Sequence, residues 1–285
     1  MSVLVRLDGP WGRLGLLVDC GEGTQRQLVH AGVASSSIDA VAVTHAHGDH
    51  CMGLHGVLAR MVLDGRTAPV PLACPASAVP RLQLLTDFAL AGGAPFALQW
   101  RPAAEDRPDV VLQGPGWRVE TAPLAHRVPT VGYRVVEDDG RRLLPERLAQ
   151  AGVAGPDVGR LQRGETVAGV VLEDVSALRP GRSVAVVMDT ALGDGARALA
   201  AGVDLLVVEA TYLDADEGLA EAHRHLTARQ AARLGREAGA RRVVLVHLSQ
   251  RYPSLEGHLR EASEEHPDVV VASDLDVVAL PPRLP

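Results

Sequence analysis

Six residues, His45-Ala46-His47-Gly48-Asp49-His50, constrain this chain more than any other stretch. They follow the apolar run Ala40–Val43, which reads as a buried strand. The ligand-type side chains therefore sit on the loop leaving the strand's C-terminal end. His45 and His47, at alternate positions of extended backbone, can point the same way. Gly48 permits a sharp turn, and Asp49 and His50 lie beyond it. One loop thus offers two separate pairs of metal ligands. Ligand-type residues at this density are seldom packing filler, so the fold must be one that presents a metal centre at a strand end.

The remaining chain has to supply a core and further ligands. At 285 residues it is long enough for one large domain or two small ones. Hydrophobic content of 47% with only 3% aromatics predicts a core of Val, Leu and Ala. The basic residues are all arginine, and the net charge of −7 excludes a global basic field that would draw the protein to nucleic acid. Any RNA-binding surface must then be a local arginine patch. Cys20, Cys51 and Cys74 form an odd set without a CxxC pair, which points to a reducing cytoplasm. The opening residues lack the apolar core of a secretory signal, and no apolar run reaches membrane-spanning length, so no membrane association is expected.

Taken in order, Val3–Leu7 and Leu14–Val18 read as strands. A Gly-rich loop, Asp19-Cys20-Gly21-Glu22-Gly23, then enters a helix over Thr24–Ala31; alone it is a weak phosphate-binding signal. A helix over Met52–Met61 should pack under the metal loop, with His55 as an ordinary helix-face histidine. Strands are expected at Val70–Cys74, Phe96–Arg101, Val110–Leu112, Trp117–Ala122, Gly132–Val136, Ser183–Met188, Val203–Val208, Arg242–Val246, Val269–Ala272 and Asp276–Leu280. Helices are expected at Pro75–Leu90 and Leu255–Glu264, and between a Thr227/Gln230 capping box and Gly239. The segment 137–167 differs, being rich in Arg, Gly, Asp and Pro. It carries a short helix over Pro145–Ala151, and Ala154–Val158 should break any regular element. It reads as an inserted arm on a single domain spanning 1–285. Its Arg141, Arg142, Arg160 and Arg163 make it the best candidate for contacting nucleic acid. The element order places the chain in the α/β (α+β) class, as a four-layer αβ/βα sandwich.

His45, His47, Asp49, His50, His126, Asp189 and His247 all follow strand ends, where open α/β folds place their sites. We expect His45, His47 and His126 on one ion, Asp49, His50 and His247 on a second, and Asp189 bridging. Imidazole and carboxylate donors suit two Zn2+ per chain, with Mn2+ or Fe as alternatives. Such a pair activates water and neutralises charge in displacement at phosphorus. Asp49 is the candidate for orienting the water or accepting its proton. Glu209, orienting His225, is the candidate for delivering a proton to the leaving oxygen.

The strings DCGEGTQRQL, THAHGDHCMGLHG, GYRV, GRSVAVVMDT, EATY, HLTARQA and LVHLSQRY run in order from about Leu16 to Tyr252. Together they resemble the ribonuclease Z family, the tRNA 3′-processing endonucleases of the metallo-β-lactamase superfamily. The resemblance implies the metallo-β-lactamase fold, two zinc ions and a homodimer. It implies cleavage of precursor tRNA after the discriminator base to leave a 3′-hydroxyl, and an arm of one subunit that grips tRNA bound to the other. Glu209 and His225 match the family's two catalytic positions outside the metal shell. The family's Gly-rich first strand and PxKxRN-like loop have no counterpart here, so the chain is expected to start near the family's second strand. Two other readings stand beside this one: a small-molecule phosphodiesterase, for example on cyclic nucleotides, and a non-catalytic RNA-binding or assembly protein.

Overall fold

The structure is a computed structural model that describes residues 1–282. The chain divides into two compact units, one formed by 1–136 with 183–285 and the other by 137–182. The larger unit begins with β1 (Val3–Gly9), β2 (Gly12–Val18), α1 (Thr24–His30), β3 (Ala40–Ala42), α2 (Gly48–Cys51), α3 (Leu54–Leu63), β4 (Val70–Pro75), α4 (Val79–Leu90) and β5 (Leu98–Ala103). These strands form one sheet in the order β1-β2-β3-β4-β5, parallel except for the β1–β2 hairpin. Next come β6 (Asp109–Gly114), β7 (Trp117–Leu124) and β8 (Thr130–Glu137).

The smaller unit contains β9 (Gly140–Leu143), α5 (Pro145–Gln150), α6 (Pro156–Gln162) and β10 (Ser176–Arg179). The larger unit then resumes with β11 (Ser183–Val187), α7 (Asp194–Ala200), β12 (Leu205–Glu209), α8 (Glu217–His223), α9 (Ala228–Ala238), β13 (Val243–Val246), α10 (Glu256–Ser263) and β14 (Val269–Val271). Its second sheet runs β14-β13-β12-β11-β8-β7-β6. It is parallel from β14 to β11 and antiparallel from β11 to β8 and from β7 to β6.

Alternation along the strands builds four layers. Leu14, Leu16, Val18 and Ala42 from the first sheet meet Val131, Tyr133, Val135, Val184, Val186 and Val207 from the second in one buried core. On the opposite faces, Leu17, Val41 and Leu72 pack against Leu54, Leu58 and Met61 of α3 and Leu82 of α4. Ala185, Val187, Leu206 and Val208 pack against α7 and α9. Tyr133 is the largest fully buried side chain, and its hydroxyl donates to the Val43 carbonyl at 2.8 Å, directly before the metal loop. The Val131 amide donates to the Thr44 carbonyl at 3.0 Å, so β8 of one sheet steadies a loop of the other.

α9 begins and ends where its caps require. Thr227 Oγ1 accepts from the Gln230 amide, the Gln230 side chain accepts from the Thr227 amide, and Gly239 closes the helix at φ 72°.

Several boundaries differ from the sequence reading. The expected helix over Met52–Met61 is α3, which begins at Leu54 because the chain turns at Met52-Gly53; the short turn α2 before it, Gly48–Cys51, is additional. The expected helix from Pro75 begins at Val79, since Pro75 still pairs with Ala103 in the sheet. Asp276–Leu280 is not a strand: Arg242 donates to the Ala279 carbonyl at 2.9 Å, an acceptor that a ladder would have used, and Arg241 donates to Pro281 just beyond the segment at 3.3 Å. Ala154–Val158 does not exclude regular structure, because Pro156 opens α6, a position where its missing N–H costs nothing.

The inserted unit, placed at 137–167 from sequence, is described by the structure as 137–182. The residues beyond 167 include β10, which pairs antiparallel with β9, and Val153, Leu161, Val167 and Val175 form its own small core. Its two ends are drawn together by the buried Glu137, which accepts from Arg182 Nε at 2.8 Å and Arg179 Nη2 at 3.1 Å. Among the described residues no helix is long and apolar enough to cross a membrane.

Candidate metal centre

The C-terminal ends of six strands converge. β2 leads to Asp19, β3 to His45, β7 to His126, β11 to Asp189 and β13 to His247, while Glu209 ends β12. The short helix α2 folds Asp49 and His50 back toward His45. Ligand atoms of His45, His47, His126 and Asp189 lie within 4.8 Å of one another, as do those of Asp49, His50 and His247.

Asp189 divides its oxygens between the two groups. Oδ2 faces His45 Nε2 at 3.5 Å and His126 Nε2 at 3.7 Å, and Oδ1 faces His50 Nε2 at 3.2 Å and His247 Nε2 at 3.4 Å. Asp49 Oδ2 stands 3.4 Å from both His50 Nε2 and His247 Nε2. All seven ligands expected from sequence are therefore neighbours.

The donor set fits metal ions. His126 Nε2 is buried and has no hydrogen-bond partner, although it points into the cluster. Asp189 Oδ1 also lacks a hydrogen bond despite its close imidazoles, as two atoms would if both faced a shared point rather than each other. Burial, reinforced by neighbouring imidazoles, lowers the pKa of His45 to about 2 and leaves its lone pair available. Burial likewise lowers His47 and His126. Burial pushes His50 down as well, but Asp19, Asp189 and Asp49 outweigh it and raise its pKa to about 12. Hydrogen bonds from His247 and His50 hold the Asp49 carboxyl well below the ordinary carboxylate range.

Four of the five ligand-type imidazoles of the cluster are aimed by what holds the outer nitrogen. Asp19 Oδ2 lies 2.7 Å from His50 Nδ1, while Asp19 Oδ1 accepts from the Thr44 amide at 2.7 Å. The Thr44 hydroxyl meets His45 Nδ1 at 3.0 Å. The Arg224 carbonyl holds His126 Nδ1 at 3.2 Å, and Thr211 Oγ1 holds His247 Nδ1 at 2.9 Å. Glu209, fully buried, takes His225 Nδ1 at 2.9 Å and accepts from Thr211 Oγ1 at 2.6 Å and the Thr190 amide at 2.9 Å. It thereby anchors His225 directly and His247 through Thr211. Six non-glycine residues among those described have positive φ, and four of them, Asp19, Asp189, Arg224 and His247, shape this centre.

Among known proteins, a family model described as anti-Pycsar protein Apyc1 matches residues 10–93, and one described as a β-lactamase superfamily domain matches residues 148–248. The ribonuclease Z of Streptomyces avermitilis is 47% identical over 275 residues, covering 96% of this chain and 90% of the relative. That of Streptomyces coelicolor is 46% identical with the same coverage. This chain belongs to the ribonuclease Z family. Human tRNase Z, short form, shares the fold with a TM-score of 0.70 at 23% identity, covering 98% of this chain and 93% of that one. The architecture of this ribonuclease Z family member is accordingly the metallo-β-lactamase fold.

The sequence reading passes over several residues that the centre depends on, namely Asp19, Thr44, Thr211 and Arg224. For Asp19 a signal exists: it too follows a strand end, the rule that finds the ligands. The glycines of the loop after it are used in packing. A Cβ on Gly53 would lie 1.9 Å from the Gly21 carbonyl oxygen, and one on Gly21 would lie 2.1 Å from that of Asp49. The glycines thus let this loop press against α2. His55 stays outside the cluster, bonding the Met52 carbonyl at 2.7 Å.

In the inserted unit, Arg160 pairs with Asp157 and Glu165, Arg163 with Glu165, and Arg141 with Glu173. Arg142 and Arg147 are exposed and have no ion-pair partner among the described residues.

Proposed function

We propose that this chain is an endoribonuclease that removes the 3′ trailer of precursor tRNA and leaves a 3′-hydroxyl, using two zinc ions, with manganese or iron as substitutes. The observation that carries this reading is the Glu209–His225 pair beside two ligand groups joined through Asp189, in a member of the ribonuclease Z family. His45, His47 and His126 would hold one ion, Asp49, His50 and His247 the other, and Asp189 would bridge. Such ions supply an activated water and neutralise charge growing at phosphorus.

The chain's own groups supply the rest. Asp49 is ionised and its side chain is 61% exposed at the rim, where it can orient the attacking water as a hydrogen-bond acceptor. His225 holds its Nδ1 proton on Glu209 and turns Nε2 toward the cluster, from which a proton on Nε2 can pass to the leaving 3′ oxygen. Glu209 fixes the ring and its Nδ1 contact.

The inserted unit is the surface we assign to the tRNA body. Arg142 and Arg147 are better placed for phosphates than Arg141, Arg160 and Arg163, which already face carboxylates. A homodimer acting in the cytoplasm is the assembly we favour, and three buried free thiols support a reducing compartment.

One observation favours a second reading, a phosphodiesterase for small substrates: between Glu137 and Arg182 eight carboxylates stand against seven arginines, a weak field for RNA. Incubation with a precursor tRNA bearing a 3′ trailer, with zinc and separately with manganese, and mapping of the new end decides between them. A cut at the discriminator base is the expected result. An intact precursor, with metal bound and a small phosphodiester hydrolysed, would replace the first reading by the second.

A further inference from the structure

We propose that Asp189, His225 and His247 form an alternative seat for the second metal ion, and that an ion in this seat withdraws His225 from proton transfer. Ligand atoms of the three lie within 4.8 Å of one another. His225 Nε2 stands 4.0 Å from Asp189 Oδ2, and His247 Nε2 stands 3.4 Å from Asp189 Oδ1. Donors about 2.0–2.1 Å from zinc can be no more than about 4.2 Å apart, so each imidazole is within reach of an ion held by this carboxylate, one through each oxygen. The His225 and His247 rings are nearly parallel, at 21° with centroids 5.6 Å apart.

The outer nitrogen decides whether His225 can ligate. Glu209 Oε1 holds Nδ1 at 2.9 Å, as Asp19 holds His50 at 2.7 Å, and the His225 side chain is only 9% exposed. A carboxylate on one imidazole nitrogen fixes the proton there and makes the other a better metal ligand. The contact that readies His225 to move a proton therefore also readies it to bind metal.

His247 has one inward lone pair and cannot serve two ions, so filling this seat relocates the second ion rather than adding a third. The two seats differ chemically. The one with Asp49 and His50 offers carboxylates and imidazoles in equal number, whereas the alternative is imidazole-rich. Zinc favours imidazole and manganese favours oxygen, so zinc should populate the alternative seat more than manganese does. The consequence for turnover rests on the role given to His225 above, but the binding itself does not.

A double-mutant cycle on the metal-free full chain tests this, with zinc titrated against a chromophoric chelator. The variants are Asp49→Ala, His225→Gln and their combination; glutamine can still donate to Glu209, and retention of the first ion reports an intact fold. His225→Gln should change second-ion affinity less than threefold when Asp49 is present and at least tenfold when it is absent. On the unsubstituted chain, nitrogen NMR of histidine-labelled protein should show His225 Nε2 moving toward the metal-bound form on the second equivalent of zinc. Equal effects of His225→Gln in both backgrounds, or a His225 resonance indifferent to the second equivalent, would overturn the proposal. Because no RNA is involved, this outcome is independent of whether the chain cleaves tRNA.

Discussion

Asp19→Asn is the substitution whose effect the structure defines most sharply. Asp19 is 1% exposed and accepts from the Thr44 amide, the Thr44 hydroxyl and His50 Nδ1, all at 2.7–3.1 Å. Its φ of 61° is one that asparagine tolerates almost as well as aspartate, so the backbone has no reason to move. Asparagine keeps an oxygen for the Thr44 amide but turns an NH2 group toward His50. His50 Nδ1 must then accept, and its proton moves to Nε2, the nitrogen that faces Asp189 and Asp49. The second ion loses a lone pair unless the introduced side-chain amide swings away and leaves Nδ1–H unpaired.

Loss of such an orienting contact typically weakens metal binding 10–100-fold, or about 1.4–2.7 kcal/mol. One charge-assisted hydrogen bond is also lost from the metal-free fold, about 1.5–3 kcal/mol. The first ion, which Asp19 reaches only through the Thr44 hydroxyl on His45, should be affected less than the second. Zinc titration of the metal-free variant against a chelator, followed by thermal melts with and without zinc, measures both effects. Wild-type affinity at both positions would refute the reasoning, and so would an equal loss at both, which would mean general disruption.

Other outcomes follow from the same contacts. Gly53→Ala places a methyl group against the Gly21 carbonyl at 1.9 Å, and should cost about 1–3 kcal/mol, read as a lowered Tm, with zinc occupancy falling in parallel. Burial disfavours a charged Glu137, but Arg182 and Arg179 outweigh it and hold the carboxyl down to about 2 from an ordinary 4.5. Because the folded value is the lower one, this stabilisation is complete above about pH 4.5 and is lost as pH falls through about 2. At neutral pH it is on the order of 2–3 kcal/mol, so Glu137→Gln should speed hydrogen exchange at the ends of the insertion by the corresponding factor. Arg142→Ala with Arg147→Ala should weaken binding of precursor tRNA and reduce its salt dependence by about 1–2 in log–log slope, whereas Arg160→Ala should change neither; a reversed pattern would show that the ion pairs of Arg160 open on binding. His225→Ala should retain its first ion and lose most cleavage of precursor tRNA, and full cleavage by that variant would remove His225 from the mechanism.

The metal loop, the strand ends and α9 were legible because each rests on local signals: ligand density, period-two burial and a capping box between Thr227 and Gly239. Asp19 was not, because a single carboxylate after a strand announces nothing until His50 is folded back against it. Residue separation hides such a pair, while α2, a single helical turn, creates it. β9 and β10 escaped for a similar reason. Each is only four residues long, and they pair across the whole insertion, so neither carries enough alternation to be read alone. Asp276–Leu280 was misread for the opposite reason. Its composition suits a strand, but Arg242 takes the Ala279 carbonyl and Arg241 the Pro281 carbonyl just beyond it.

The register of β8 and β11 has a consequence for how this protein can be rebuilt. The two strands are antiparallel neighbours, and Val136 sits opposite Ser183, the residues on either side of the insertion. Topologically, everything from Glu137 to Arg182 occupies the place of a hairpin turn. A two-residue Asn-Gly link could close that hairpin with the twist its strands require. Because the ligand-type residues of the centre all lie outside it, replacing the insertion at this pair of residues should leave the register of the sheet and metal binding in place, which zinc titration of the shortened chain would check.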